Sequence, residues 1–196
     1  MIRRMYERHL ARQLVELPDR ICVLLSDRDM MAAPERLGEC VEWCREVGLR
    51  GVIFHISTAD PANLEPILPA VRAIARVAHL TLHYGDQTES AGEGMEVTVA
   101  IGKSGREEIA DCIRRMAEDG VDPSAVDEHT IESYLTFPYT PDLVIKTGGN
   151  HLTDFLIWQS VYSEFFFSDV NWPLFRRLDL LRALRDYQSR VRRFGR

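Results

Sequence analysis

The chain has 196 residues, in which 24 lysines and arginines are outnumbered by 30 aspartates and glutamates, so the formal net charge is −6. One domain accounts for this length, and a hydrophobic content of 45% is enough to build a core. The acidic balance argues against a dedicated nucleic-acid-binding protein, and no apolar run approaches the roughly 20 residues that span a bilayer. The first residues, MIRR, lack the apolar stretch of a signal peptide, so we expect a cytoplasmic protein.

Short apolar runs alternate with longer amphipathic segments, and this order predicts an α/β domain over residues 1–196 with a mostly parallel sheet. We predict about six strands, at 21–25, 52–56, 80–84, 95–101, 142–146 and within 161–167. The predicted helices are 4–16, 34–47, 62–77, 105–119, 124–135 and 176–193. The first helix lies within residues 1–16, and a tail follows the last helix to residue 196.

The four cysteines form no CxxC pattern, so we predict buried thiols in a reducing compartment: Cys22, Cys40, Cys44 and Cys112. Cys40 and Cys44 are four residues apart on a predicted helix and should share a face. His55 and His83 lie on predicted strands and are expected to be satisfied core or rim residues.

In such a sheet the ligand site lies beyond the carboxyl ends of the strands. That rule selects four loops, at 26–29, 57–60, 102–106 and 146–154. The last loop follows Lys146 with Gly148 and Gly149, whose backbone N–H groups suit an anion such as a phosphate. An ordinary turn is the alternative, because paired glycines are common.

Of three other charged segments, two have two interpretations each. One carboxylate of the run Asp27-Arg28-Asp29 can hold Mg²⁺ on a diphosphate, or the run is a self-paired, solvated cluster. Loop 102–106 is too short for a Walker A loop and is interpreted as a plain turn. The C-terminal residues 190–196, RVRRFGR, form either an anion-binding tail or a solvated helix end with favourable cations.

The C-terminal third resembles the cis-prenyltransferase family, the undecaprenyl and dehydrodolichyl diphosphate synthases. The resemblance is carried by residues 142–149 (DLVIKTGG), 155–167 (FLIWQSVYSEFFF), 169–173 (DVNWP) and 187–195 (YQSRVRRFG). Fainter matches are GREEI at 105–109 and YGD at 84–86. The resemblance implies a mostly parallel sheet, and condensation of isopentenyl diphosphate onto an allylic diphosphate to give a polyprenyl diphosphate, a lipid carrier of glycans.

Several departures from the family pattern fall on its diphosphate loops. Where the family has Met-Asp-Gly-Asn-x-Arg-Trp after the first strand, residues 25–32 are LSDRDMMA, in which Asp27 is the alignable aspartate. Lys146 replaces an arginine and cannot present a bidentate fork to a phosphate. Residues 150–153, NHLT, replace the family's Arg-x-Ser, and residues 57–60, STAD, lack its Ser-x-Glu-Asn-Trp. The segment before Tyr84 is shorter by about ten residues, in the region where the family's helices wall the product tunnel.

The resemblance also implies roles for particular residues. Isopentenyl diphosphate would be contacted by Arg193, Phe194, Gly195, Lys146 and Thr153, with Thr147, Gly148 and Gly149 as the diphosphate loop. The implied dimer interface comprises Tyr162, Ser163, Glu164, Phe165, Phe167 and Trp172. Asp27 and Glu164 are the candidate metal ligands, and Mg²⁺ is expected to be held mainly by a partner subunit.

Retention of the interface and tail without the diphosphate loops resembles the non-catalytic subunit of a heteromeric cis-prenyltransferase. The expected partner is a catalytic family member, in a heterodimer or heterotetramer, whose site receives Arg193 and Gly195. One alternative is a divergent homodimeric enzyme that uses Asp27 and Lys146. Another is a prenyl-diphosphate-binding or scaffold protein. Any membrane contact is expected to be peripheral, through the lipid product.

Overall fold

The computed structural model describes residues 2–85, 87–102, 104–137, 140–149, 152 and 155–191. In this part of the chain, seven strands form one sheet in the order β4-β3-β5-β2-β1-β6-β7. Neighbouring strands are parallel except for β3 and β4. The strands are β1 (Arg20–Ser26), β2 (Gly51–Ser57), β3 (His79–Tyr84), β4 (Gln87–Ala91), β5 (Glu96–Ile101), β6 (Leu143–Thr147) and β7 (Glu164–Ser168).

Helices cover both faces of this sheet, as the alternating order predicts. They are α1 (Ile2–Gln13), α2 (Asp27–Ala32), α3 (Arg36–Val47), α4 (Leu68–Arg72), α5 (Gly105–Glu118), α6 (Glu128–Tyr134) and α7 (Arg177–Val191). Ile21, Val23 and Leu25 of β1 join the core formed with α3, α4 and α7. Cys22 and Leu24 point to the opposite face, because side chains alternate along a strand.

Strand β4 was not predicted, and the sheet therefore has seven strands where we expected about six. Its sequence, Gln-Thr-Glu-Ser-Ala, lies almost entirely exposed at the edge of the sheet. It pairs antiparallel with β3, and Glu89 on it forms an ion pair with Arg72 at 2.6 Å. A polar edge strand lacks the apolar pattern from which the other strands were predicted.

The predicted helix 62–77 is broken into three pieces. A 3₁₀ helix covers Pro61–Ile67, α4 follows, and a second 3₁₀ helix covers Ala73–Arg76. Pro66 and Pro69 explain the first break, because proline lacks an N–H and disfavours helical geometry in the residue before it. The predicted apolar face is nevertheless confirmed, since Leu64, Ile67, Leu68, Val71 and Ile74 are all buried.

Two other segments differ from prediction. The loop after β1 contains the short helix α2, and the helix predicted at 124–135 is a 3₁₀ turn, Pro123–Ala125, followed by α6. In the described part of the chain, no helix combines the length and apolar character needed to cross a bilayer.

Helix α1 packs on the domain, along α7. Gln188 of α7 accepts hydrogen bonds from the N–H groups of Val15 at 2.6 Å and Glu16 at 3.0 Å. Its side-chain amide donates to the carbonyl of Gln13 at 3.1 Å. These bonds fix the end of α1, and Leu10 is buried beneath it with 1% exposure.

Candidate functional site

The four loops selected from the sequence follow four neighbouring strands, β5, β2, β1 and β6. All four strands run parallel, so their carboxyl ends meet at one edge of the sheet. The loops after β1 and β2 are in contact, because the hydroxyl of Thr58 donates to Oδ2 of Asp27 over 3.5 Å. Their predicted proximity is confirmed, whereas residues 103, 150, 151, 153 and 154 of these loops lie outside the described residues.

The loop after β1 is closed by its own side chains. Ser26 caps α2 through Oγ, which accepts from the N–H of Asp29 at 3.2 Å. The Asp29 carboxylate accepts in return from the N–H of Ser26 at 3.0 Å and from its hydroxyl at 2.7 Å. Oδ1 of Asp27 accepts from the N–H of Arg28 at 2.7 Å.

This arrangement is a capping box, in which a serine and an acid three residues later satisfy each other's backbone N–H groups. The N–H groups of Ser26, Arg28 and Asp29 at this helix start therefore already have carboxylate or hydroxyl partners. The carboxylates of Asp27 and Asp29 also make the loop negative. The geometry matches the self-paired cluster, the second interpretation of these residues.

The sequence-predicted metal ligand at this edge is Asp27, whose two carboxylate oxygens accept from Arg28 and Thr58. Among the described residues, no three His, Cys, Asp or Glu side chains cluster so as to hold a metal. Glu164 is the first residue of β7 and lies at the opposite end of the sheet. Leu143 of β6 pairs with both Glu164 and Ile21, so Glu164 is in register with Ile21 at the start of β1. Six residues of strand, or about 20 Å, separate that level from Asp27. Asp27 and Glu164 of one chain therefore cannot share an ion, and Mg²⁺ fits here only with a diphosphate that brings most of its ligands.

The Lys-Thr-Gly-Gly loop after β6 is closed by hydrogen bonds to the chain that follows β7. The N–H of Gly148 donates to the carbonyls of Ser168 at 3.0 Å and Val170 at 3.1 Å. The N–H of Gly149 donates to the carbonyl of Ser168 at 3.4 Å. The prediction that these two glycines leave their N–H groups available to an anion is therefore wrong.

The backbone at position 148 favours glycine, because its φ is +67°. An added Cβ would also lie 2.6 Å from Oδ1 of Asn171, so that side chain would have to shift. Beside it, Lys146 is half-buried, and Nζ donates to the carbonyl of Thr147 at 2.7 Å. Lys146 thus sits at the predicted edge, next to the loop of Asp27, and remains the candidate cation for a diphosphate contact.

Exposed apolar side chains gather around the edge strand β7, on what we call the apolar edge surface: Ile157, Val161, Tyr162 and Phe167. Tyr162 is 91% exposed and Val161 is 64% exposed. The rings of Phe165 and Phe167 stack with centroids 6.3 Å apart. A strand at the end of a sheet with large apolar side chains in water is a typical protein-binding surface.

Of the predicted interface residues, Tyr162 and Phe167 belong to this surface, and three others lie between them in the chain. Ser163, Glu164 and Phe165 are half-buried, and Glu164 pairs with Arg190 of α7 at 3.0 Å. Trp172 is fully buried, and its indole N–H donates to the carbonyl of Ala33 at 3.2 Å. Because Trp172 belongs to the core of its own chain, its predicted place in an interface is wrong.

A buried carboxylate lies behind the apolar edge surface, and the sequence analysis did not identify it. Glu108 on α5 accepts from the N–H of Phe137 at 2.9 Å and from the amide of Gln159 at 3.0 Å. The same Gln159 amide donates to the carbonyl of Phe137 at 3.0 Å. Burial raises the pKa of Glu108 above its ordinary value, and these hydrogen bonds only partly oppose the shift. The network fixes residues 157–162 from the inside.

The start of α5 packs directly against residues 155–162. A Cβ added to Gly105 would lie 1.9 Å from the carbonyl oxygen of Phe155, so only glycine fits there. Ser104 caps the helix by accepting from the N–H of Glu107 at 3.3 Å. The loop 102–106 therefore acts as a tight turn that positions residues 155–162, in agreement with the interpretation of a plain turn.

The cysteines and two histidines are structural, as predicted. All four thiols are free and buried, and burial raises the pKa of Cys22 to about 12. His55 and His83 are 1% and 7% exposed. The remaining predicted contacts of isopentenyl diphosphate, Thr153, Arg193, Phe194 and Gly195, lie outside the described residues.

Comparison with known proteins identifies relatives over most of the chain. The prenyltransferase family model described as undecaprenyl diphosphate synthase matches residues 71–195. A tritrans,polycis-undecaprenyl-diphosphate synthase (geranylgeranyl-diphosphate specific) from Methanocaldococcus jannaschii is 34% identical over 202 residues, covering 82% of this chain and 72% of the relative. A (2Z,6E)-farnesyl diphosphate synthase from Mycolicibacterium smegmatis is 31% identical over 250 residues, covering 98% and 95%.

Solved structures share the fold. Lavandulyl diphosphate synthase from Lavandula x intermedia, in complex with dimethylallyl diphosphate, superposes with a TM-score of 0.68 at 20% identity, covering 88% of this chain and 95% of that chain. A probable undecaprenyl diphosphate synthase from Campylobacter jejuni also gives 0.68 at 20% identity, covering 93% and 100%. The predicted fold class is confirmed.

Proposed function

Because this chain belongs to the cis-prenyltransferase family, we propose that it takes part in polyprenyl diphosphate synthesis as the supporting subunit of a two-subunit enzyme. In this proposal a catalytic family member supplies the allylic diphosphate site. This chain stabilises that member and completes its isopentenyl diphosphate site.

The closed loop after β1 is the observation that carries the supporting role. A diphosphate needs free N–H groups at a helix start, or cations, or both. At this helix start the N–H groups of Ser26, Arg28 and Asp29 already have acceptors. Two carboxylates stand where an incoming anion would need positive charge, so binding a diphosphate here would require breaking the capping box and overcoming repulsion.

The loop after β6 supports the same conclusion independently. Its glycine N–H groups donate to the carbonyls of Ser168 and Val170, so they are not directed at a ligand. Lys146 provides a single charge without the planar fork of an arginine. These two loops would leave a diphosphate with few partners from this chain.

The apolar edge surface supports association with a second subunit. Its exposed side chains border a hollow of 270 Å³ lined by residues that include Trp158, Gln159, Val161 and Tyr162. Acidic side chains, among them Glu128 and Glu132, border the same hollow. We infer that a partner fills this hollow with apolar side chains and pairs basic ones with the acidic rim.

The proposal assigns the remaining predicted residues to the assembled complex. Arg193, Phe194 and Gly195 would reach the partner's isopentenyl diphosphate, with Lys146 and Thr153 as further contacts from this chain. Mg²⁺ would be held mainly by the partner, because Asp27 supplies only one carboxylate here.

The alternative is a divergent homodimeric synthase that is active by itself, and the comparisons favour it. The named relatives are synthases, and they match this chain at 31% and 34% identity over 98% and 82% of its length. In this reading Asp27 would bind the metal on the allylic diphosphate and Lys146 would contact a phosphate.

One assay distinguishes the two roles. Isopentenyl diphosphate, an allylic primer and Mg²⁺ are supplied to this chain alone, to a complete family member from the same genome alone, and to the mixture. The supporting role predicts negligible turnover by this chain and a rate for the mixture at least tenfold above that of the complete member. Asp27→Asn in this chain should then leave the mixture unchanged.

Robust turnover by this chain alone, lost in Asp27→Asn, would establish the homodimeric enzyme instead. A chain that binds the complete member but changes no rate would be a scaffold.

A further inference from the structure

Helix α1 carries a net positive charge, whereas the rest of the chain carries a net negative charge. Four arginines against one glutamate give residues 2–13 a net charge of +3, which leaves −9 on the remainder of a chain whose total is −6. The one acidic residue, Glu7, is turned inward and is 8% exposed. The exposed side chains of Arg8 and Arg12 make the outer face of α1 cationic on an acidic protein.

The orientation of α1 is fixed by its contacts with α7. Leu10 is buried, and the bonds of Gln188 to Gln13, Val15 and Glu16 hold the end of the helix. The opposite side of the helix must then face solvent.

Cations and apolar groups alternate on that solvent side. Met5, Arg8 and Arg12 share one face, because residues three, four and seven apart line up on a helix. Both arginines are exposed, and Met5 is 66% exposed. Tyr6, which is 42% exposed, lies beside this face. This combination is typical of helices that lie in the plane of an anionic membrane surface.

The surface beside α1 continues to the start of α7, where Arg176 is exposed and Arg177 forms an ion pair with Glu46 at 3.0 Å. An open hollow of 550 Å³ there is lined by side chains of both signs and by apolar ones: Glu7, Arg36, Glu39, Trp43, Pro173, Leu174, Arg176 and Arg177. Leu174 is 61% exposed. This hollow adjoins the 3₁₀ turn Trp172–Leu174, which contacts α2 at the edge of the sheet where the strand-end loops meet.

We propose that the outer face of α1, with the adjoining residues 174–177, binds an anionic lipid bilayer and turns the strand-end edge toward it. The charge complementarity is direct, since phosphate headgroups attract the arginines while Met5 and Leu174 enter the interface. The proposed function adds only the reason for such contact, because a polyprenyl product is itself a lipid. Vesicle binding can therefore succeed or fail independently of activity.

The test uses the full-length chain and vesicles made of equal parts phosphatidylglycerol and phosphatidylcholine, with sedimentation as the measurement. Arg8→Gln with Arg12→Gln should weaken binding about 25-fold, at about fivefold for each arginine. Glutamine preserves helix propensity, so the thermal unfolding midpoint should not move. Met5→Ser should weaken binding several-fold without any change of charge.

Arg50→Gln with Arg114→Gln is the matched control. It removes the same two charges from side chains that are 73% and 70% exposed elsewhere on the molecule, and it should change binding less than twofold. Binding should also fall with added salt and be absent on pure phosphatidylcholine.

Three results would each overturn the proposal. The first is equal loss of binding in the two double variants, which would mean a non-specific effect of net charge. The second is wild-type binding by Arg8→Gln with Arg12→Gln. The third is release by duplex DNA at a phosphate concentration equal to that of the lipid, which would identify a general polyanion site.

Discussion

The loop after β1 and the apolar edge surface differ in whether their groups have partners within the chain. At the end of β1, the capping box of Ser26 and Asp29 satisfies the backbone N–H groups locally. At the edge strand β7, the chain leaves Val161, Tyr162 and Phe167 in water, although each would be more stable if buried. The first region is complete by itself, whereas in the proposed function a partner completes the second.

In a two-subunit enzyme, one subunit can lose its diphosphate-binding loops but must keep its interface surface. A diphosphate loop must keep N–H groups and cations unsatisfied until substrate arrives, and that requirement is absent once another subunit binds the substrate. An interface surface must stay exposed whichever subunit performs the chemistry. The closed β1 loop and the preserved apolar edge surface are what this division of roles requires.

The largest expected effect comes from a charge placed on the apolar edge surface. Tyr162→Asp should weaken association with the partner subunit by about 2–4 kcal/mol, or roughly 30- to 1000-fold, because an unpaired carboxylate would be buried at the contact. Analytical ultracentrifugation of the variant mixed with a complete family member measures this. The free energy of unfolding of the isolated chain should change little, since Tyr162 is 91% exposed.

Ile113→Asp is the matched control for this variant, since it places the same charge on an apolar side chain that is 58% exposed on α5. It should leave association intact. Equal effects of the two variants would mean that the apolar edge surface has no special role.

The second effect is on the support behind that surface. Gly105→Ala should lower the free energy of unfolding by about 3 kcal/mol, because its Cβ would overlap the backbone carbonyl of Phe155, which cannot move as a side chain could. Gly38→Ala, inside α3 with nothing within 4 Å of the new Cβ, should instead stabilise by about 0.5–1 kcal/mol. Urea titration of both variants checks the pair, and a tolerated Gly105→Ala would contradict the close approach.

The sequence predicted the parts of the fold that depend on local pattern. Six strands and the buried face of α3 follow from apolar periodicity, and the Ser-x-x-Asp spacing at Ser26 could also have predicted the capping box. The pattern contained no signal for the use of the Gly148 N–H, because its acceptors are carbonyls at Ser168 and Val170, about twenty residues later. Trp172 illustrates the same limit, since only the assembled core decides whether an aromatic residue faces a partner or its own chain.

The third effect is a pH dependence that originates behind the apolar edge surface. Burial raises the pKa of Glu108 in the folded chain, so the folded state binds a proton more tightly there than the unfolded state does. The stabilisation linked to this group is fully present below the ordinary glutamate pKa and is lost as pH rises through the raised value. Glu108→Gln should remove this downward slope of stability with pH above the ordinary glutamate range.

Glutamine is close to glutamate in size and can still accept the N–H of Phe137, but it does not titrate. Denaturant titrations of wild type and Glu108→Gln over that pH range measure the effect. Parallel stability curves for the two proteins would show that Glu108 does not titrate there. Glu108→Leu is the contrasting variant, and it should destabilise at every pH, since it leaves the N–H groups of Phe137 and Gln159 without their acceptor.

The smallest expected effect is that of Ser26→Ala, which tests whether the loop after β1 takes part in catalysis. Ser26→Ala removes the cap of α2 and should cost about 1 kcal/mol of unfolding free energy, the usual cost of losing a helix cap. In the supporting role the β1 loop touches no substrate, so the mixture with a complete family member should keep its rate within about twofold. Ser133→Ala, which removes a hydroxyl bonded to Thr130 on the exposed helix α6, controls for loss of a surface serine.

If the Ser26→Ala mixture falls below a tenth of the wild-type rate while the chain stays folded and bound, the end of β1 takes part in the chemistry. The homodimeric enzyme would then be the better account of this chain, because a merely structural cap has no means of changing the rate of a partner's site.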